Sequence, residues 1–214
     1  MNNESSLEQL KIRQKKNVKL ILLILLGVSV LFVVTLVLVN HFLSKKEEDK
    51  VDEYIHFYNV EEGDIFENEE YLALNRSVLY CDDPSGWYGH TSEITAEDRL
   101  SFEPTVLFAE DYLIALIYGN SGALRAMCTS EYLKEHEIPE FTQQMIYEAK
   151  ITYYSTEGQE DGTTLVTYRL DYKIYRNNGT YRRDVGSRTV KPEYLVLRVS
   201  NNKSEIRIHD ILRS

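Results

Sequence analysis

Residues Leu20 to Ser44, LILLILLGVSVLFVVTLVLVNHFLS, are 25 consecutive positions without a formal charge. As a helix, that run reaches roughly 37 Å, enough for a hydrocarbon core of about 30 Å with some tilt. A helix buried in a water-soluble core keeps a polar face, and this run has none. It predicts a membrane-spanning helix. A cleaved signal peptide has a shorter apolar region, about 7 to 15 residues, followed by a small-x-small site. This run ends instead in Asn40-His41-Phe42-Leu43-Ser44, with no nearby Cys to carry a lipid.

Lys and Arg near the span set its direction. Lys11, Arg13, Lys15, Lys16 and Lys19 precede it, and Lys45, Lys46 and Lys50 follow. The excess on the first side places residues 1–19 in the cytosol as a tail and residues 45–214 outside the cell membrane. The expected partner of residues 20–44 is the lipid bilayer itself.

The 214-residue chain has a net charge of -10, unevenly spread. Residues 1–43 carry +3, residues 44–148 carry -17, and residues 149–214 carry +4. So acidic a chain lacks the Lys and Arg needed to neutralise phosphates, which argues against nucleic acid as a partner. With 43% hydrophobic residues, the chain is too apolar to be disordered throughout.

Residues 45–70 read as an acidic, solvated stalk. Their Asp and Glu lack the glycine-punctuated calcium-loop pattern, so no metal is expected. Residues 71–101 read as an irregular extension, in which Tyr71 to Tyr80 (YLALNRSVLY) is either a strand or a helical turn. Within it Asp-Pro, Ser-Gly and Tyr-Gly mark a loop carrying Trp87 and Tyr88. These two are either a recognition patch or a cover for a core edge.

From Phe102 the pattern is regular. Pro104 suits a first helical turn, Val106, Leu107, Leu113, Ile114 and Ile117 recur near helical spacing, and Gly119 suits a C-terminal cap. Asn120 can cap a second helix over Ala123, Leu124 and Met127, and Thr129 starts a further turn. Pro139 opens the expected third helix, with Phe141, Met145 and Ile146 as its apolar residues.

After Glu148 the period becomes two. In residues 163–176, Val166, Tyr168, Leu170, Tyr172 and Ile174 share one face, and Thr167, Arg169, Asp171 and Lys173 share the other. Asn177-Asn178-Gly179 predicts a tight hairpin with a return strand from Tyr181, broken near Pro192. Residues 149–156, 194–199 and 205–212 read as further strands. The fold class is therefore α+β, three helices packed on a curved antiparallel sheet, over residues 102–214.

In element order this part resembles the nuclear transport factor two-like (cystatin-like) superfamily, in the membrane-anchored form of bacterial cell surfaces. The resemblance lies in FAEDYLIALIYGNSGALRAMCTSEYLKEH, a helix, a Gly-Asn break and a second helix, followed by long strands with the Asn-Asn-Gly turn. It implies a cone-shaped pocket between helices and sheet. It also implies a role in cell-envelope assembly, as in outer domains of conjugation and type IV secretion components. Some soluble relatives are enzymes, so the fold alone does not decide.

An enzyme of this shape needs an acid or His inside the cone with a Tyr partner. The pocket residues of that alternative reading are Tyr168, Tyr172 and Asp210, since Ile206, Ile208 and Asp210 alternate onto one face. The five His residues have no ligand spacing, and there is no phosphate loop or nucleophile elbow. No catalytic residue, metal or cofactor is therefore assigned. The preferred reading is a non-enzymatic interaction domain that binds a protein partner or itself, with Trp87, Tyr88, Arg169 and Lys173 as interaction candidates. Cys81 and Cys128 are either buried thiols or a disulfide. A bridge closing 47 residues would contribute about 3 to 4 kcal/mol in the entropy account.

Overall fold

The computed structural model describes residues 55–61, 63–83 and 89–213. They belong to one compact unit starting at Ile55. The expected span at residues 20–44 lies outside the described residues. Among the described residues, no helix is long and apolar enough to cross a membrane.

Among the described residues, four α-helices accompany a six-stranded sheet. The helices are α1 (Glu69–Leu72), α2 (Pro104–Ile117), α3 (Ser121–Met127) and α4 (Ser130–Glu135). The strands are β1 (Val78–Cys81), β2 (Thr91–Glu93), β3 (Ile146–Gly158), β4 (Thr164–Ile174), β5 (Glu193–Val199) and β6 (Ile206–Arg213). Their order across the sheet is β2-β1-β3-β4-β5-β6. All neighbours are antiparallel except β1 and β3, which run parallel.

The α+β class stands, but three of its expected details are corrected. The sheet is mixed rather than antiparallel, because β1, from the stretch read as irregular, adds in parallel beside β3. The third helix is absent. Ile138, Phe141 and Met145 are buried as expected of a core, yet residues 136–145 run without helical structure. The backbone N–H of Gln144 there donates to the carbonyls of Leu116 and Ile117 at the end of α2. The last carbonyls of a helix lack an intrahelical donor; Leu116 also accepts from the Gly119 N–H, and Gln144 adds a tertiary donor to both, so this N–H serves the end of α2 rather than a helix of its own. The third correction is at the Asn-Asn-Gly turn. Gly179 takes φ +70°, but no return strand follows. Residues 175–192 instead fold around Asn177, whose buried amide donates to the carbonyls of Arg182 and Val185 and accepts from the Gly179 N–H.

The stalk boundary also moves. Ile65 and Tyr71 are buried in a small second core with Met145, Tyr147 and Tyr175, and the Tyr71 hydroxyl donates to the Ile146 carbonyl at 2.8 Å. The domain therefore includes residues from Ile55 onward.

α2 forms where the periodicity places it and buries Val106, Ala109, Tyr112, Leu113 and Leu116 against the sheet. Each fully buried branched aliphatic contributes about 1.5 to 3 kcal/mol. Gly119 ends the turn at φ +63°, and a Cβ there would stand 2.6 Å from the Gln143 nitrogen. Only glycine combines that left-handed backbone with so close an approach. The Asn120 side chain then caps α3 through the Ala123 N–H, and Thr129 caps α4 through the Tyr132 N–H.

Candidate functional site

Alternation along β4 turns Tyr168, Leu170, Tyr172 and Ile174 toward the helices. The same period in β5 turns Glu193, Leu195, Leu197 and Val199 that way. Glu193 is thus a carboxylate on an otherwise apolar face, 0% exposed, in register between Leu170 of β4 and Arg213 of β6. Burying it alone would be prohibitive, so its partners define the site.

One oxygen of Glu193 accepts from the Tyr172 hydroxyl at 2.9 Å, and the other accepts from Arg213 Nε at 2.9 Å. The Tyr181 hydroxyl approaches the second oxygen at 3.5 Å, and Arg182 Nη1 stands 3.7 Å from the first. Arg182, also 0% exposed, forms a two-point bond with Asp184 at 2.7 and 2.8 Å and donates to the Tyr172 hydroxyl at 3.2 Å. Lys191 lies 3.4 Å from Asp184. The Tyr112 and Tyr181 hydroxyls are bonded to each other, and Arg213 lies over the Tyr181 ring at 4.9 Å.

The electrostatics follow from burial and pairing. Burial, with Glu193 close by, raises Tyr112, Tyr172 and Tyr181 well above the ordinary phenol value, so all three stay neutral. Burial also pushes Asp184 upward, but the bond and charge of Arg182, helped by Lys191, outweigh it and hold the carboxyl at about 2. For Arg182 burial opposes the charge, and Asp184, Tyr172 and Glu193 more than restore it. The cluster thus holds phenols that donate, carboxylates that accept and guanidiniums that stay charged. Chemically this is a clamp. It fastens the 175–192 loop and the end of β6 to the sheet.

The sequence-predicted residues fall elsewhere or apart. Tyr172 belongs to the clamp. Tyr168 faces the same side four residues earlier, about 13 Å along the strand. Its hydroxyl meets that of Thr105 at 2.8 Å, and burial raises it to about 12. Asp210 does not point inward. A bulge places one extra residue, His209, in β6 opposite the Val196–Leu197 step, which resets the alternation beyond Ile208. Asp210 therefore pairs with Val196 on the uncovered face, and its carboxylate accepts from the Ile211 N–H. The three pocket candidates are not brought together.

Arg169 and Lys173 stand on the face of the sheet turned away from α2, paired with Asp171 at 2.9 Å and Glu148 at 2.6 Å; Lys173 lies over the ring of Tyr147, which the second core buries. Beside Arg169, the half-exposed Tyr154 meets Tyr194 edge-on at 5.2 Å between centroids, and Leu212, also half-exposed, is in register with Tyr194. Trp87 and Tyr88 lie outside the described residues. Of the two alternatives for Cys81 and Cys128, the structure has buried thiols and no bridge: both are free and buried. Cys81 ends β1, whereas Cys128 bridges to Ile208 at the far edge of the sheet. Four strand spacings separate β1 from β6, about 19 Å, far beyond the roughly 7 Å a disulfide spans.

Glu193, Arg213, Arg182 and Asp184 were missed by the sequence reading. Alternation in Glu193-Tyr194-Leu195-Val196-Leu197 was a usable signal for the first; Arg213 gave none, because plain alternation from Ile206 and Ile208 sets it on the opposite face and only the bulge at His209 turns it inward. Arg182 and Asp184 sit in an irregular loop without periodicity. Among the described residues, no group of His, Cys, Asp and Glu is arranged to hold a metal ion. No protein-family model matches the chain, and comparisons with curated proteins and with solved structures return no match.

Proposed function

We propose that this chain is a non-enzymatic interaction domain, tethered to the cell membrane through residues 20–44 and displayed on the outer side, that contacts a protein partner or another copy. The observation that carries this reading is the occupied interior. Between helices and sheet, Tyr112, Tyr172, Tyr181, Arg182 and Glu193 fill the space and bond to one another. A ligand or a reacting group placed in that space would have to displace the clamp.

Contact then falls to the outside, and the uncovered sheet face supplies Tyr154, Tyr194 and Leu212 around Arg169. Aromatic residues and Arg are the side chains most often central to protein contacts. The long uncharged run supports the tethered location, and the helix-then-strand order of residues 102–213 supports placement beside nuclear transport factor two-like assembly domains. A photo-crosslinking residue at Tyr194, activated in intact membranes, tests the reading. A discrete higher-mass adduct lost on Tyr154→Ala is expected, and no specific adduct from any position on this face refutes it.

A further inference from the structure

One stretch of strand edge in the sheet is open. On the side facing β1, β3 is covered first at Glu148, whose N–H donates to the Asn75 carbonyl at 2.8 Å, and then by β1 itself, which ends at Cys81 opposite Thr152. β3 runs on to Gly158 with β4 alone beside it. Among the described residues, nothing pairs with the backbone of residues 153–158 on the β1 side. Residues 154–158 are exposed, and a Cβ added at Gly158 would meet nothing within 4 Å. The outer edge of β6, by contrast, is met by Cys128 and Thr129: the Thr129 N–H donates to the Ile208 carbonyl at 2.8 Å, and Arg207 donates to the Ala126 carbonyl next to them.

An open edge presents backbone N–H and C=O groups in alternation, and only another extended backbone meets them as a regular ladder. Chains commonly guard such an edge with Pro, Lys or a bulge. Residues 153–158 read Tyr-Tyr-Ser-Thr-Glu-Gly, without Pro or Lys. The bulge at Tyr154 disturbs only the start of the stretch, and from Ser155 to Gly158 the pairing with β4 is regular. Tyr154, half-exposed against Tyr194, joins this edge to the contact face described above.

We propose that a second copy of this chain pairs with this edge, antiparallel and across a two-fold axis, so that two sheets become one; the inference rests on the interaction reading above and names its partner. Directly opposite residues in an antiparallel pair share a face, so under a two-fold axis one residue must oppose its own copy. Centred on Thr156, the register sets Thr156 against Thr156, Ser155 against Glu157 and Tyr154 against Gly158. Each of these pairings is favourable. Thr against Thr supports a cross-strand hydrogen bond, and an aromatic ring opposite an edge glycine fills the space that the glycine leaves. Glu157, the one charge in the stretch, faces a hydroxyl rather than its own copy. The same six residues thus supply both halves of the ladder. A contact of six residues a side lies below the roughly 1,200 Å² of a stable dimer, so the pair forms where chains are concentrated, as on the membrane of the reading above.

The test uses the full chain in membranes, with single cysteines joined by a short thiol–thiol crosslinker. Both native thiols are buried and protected from it. Thr156→Cys should give a product of twice the chain's mass in several-fold higher yield than Leu100→Cys, a 94% exposed position away from any strand. Ser155→Cys mixed with Glu157→Cys should crosslink several-fold better than either variant alone, because only the mixture places thiols directly opposite. A Thr156→Cys yield no higher than that of Leu100→Cys, a mixture no better than its components, or a product of any other mass overturns the pairing. The interaction reading survives that result if the Tyr194 adduct persists. Loss of the Tyr194 adduct, or a chain absent from the membrane fraction, counts against the reading itself.

Discussion

Replacing Glu193 with Ala tests the clamp most directly. The change removes the acceptor of the Tyr172 hydroxyl and of Arg213 Nε, each at 2.9 Å, and the counter-charge 3.7 Å from Arg182. Deleting one partner of a buried pair typically costs about 3 to 5 kcal/mol, because the other charge stays buried. Two features pull the cost to the lower end. Arg182 keeps its two-point bond to Asp184, and the Arg213 side chain, 37% exposed, can turn to water. We expect about 3 kcal/mol, which for a unit of this size lowers the melting midpoint by roughly 6 to 12 °C. Glu193→Gln keeps an acceptor oxygen and should cost about 1 to 2 kcal/mol. Urea unfolding of the unit from Ile55 onward, read by circular dichroism, measures both. A Glu193→Ala protein within about 1 kcal/mol of wild type, at unchanged m-value, refutes the clamp as a source of stability.

Three further outcomes follow from the same geometry. Gly119→Ala must adopt φ +63° and place a methyl 2.6 Å from the Gln143 nitrogen, so it should lose at least about 1 to 2 kcal/mol in the same assay; a loss under about 0.5 refutes the close packing. The intact masses of unreduced and reduced protein should agree, with Cys81 and Cys128 alkylated only after unfolding; an unreduced mass lighter by two hydrogens contradicts the topology. Asp184 has a folded pKa held near 2 against an ordinary value of 3.8. The depression contributes stability that is present above about pH 4 and lost as pH falls toward 2, on the order of 2 kcal/mol. Asp184→Asn should therefore lower stability at neutral pH and flatten its decline across that window. An acid limb identical to wild type removes Asp184 from the account.

The helices α2 and α3, and the turn at Thr129 that begins α4, were legible because their signals are local: Pro104 at a first turn, Asn120 as a cap, Gly119 as a stop. The strands β4, β5 and β6 were legible through alternation. The reading failed wherever a distant partner supplied the missing bond. Residues 139–145 carry helix-like spacing, but Gln144 is used to finish α2. The stretch at 78–81 carries too few residues to announce a strand until β3 offers its edge. Asp210 was misplaced by one inserted residue, which no pattern in β6 alone reveals, since a slip of one position exchanges the two faces.

The helix at Pro104–Ile117, the short helix after it, the strands β3 to β6, the α+β class and the inward tyrosines of β4 followed from short-range periodicity and capping, which the chain carries residue by residue. The parallel docking of β1, the bulge that turns Asp210 out, the distance between the two thiols and the burial of Glu193 with Arg182 were decided only by tertiary structure. Each depends on segments far apart in the chain satisfying one another's hydrogen bonds and charges, and that pairing exists only once they meet.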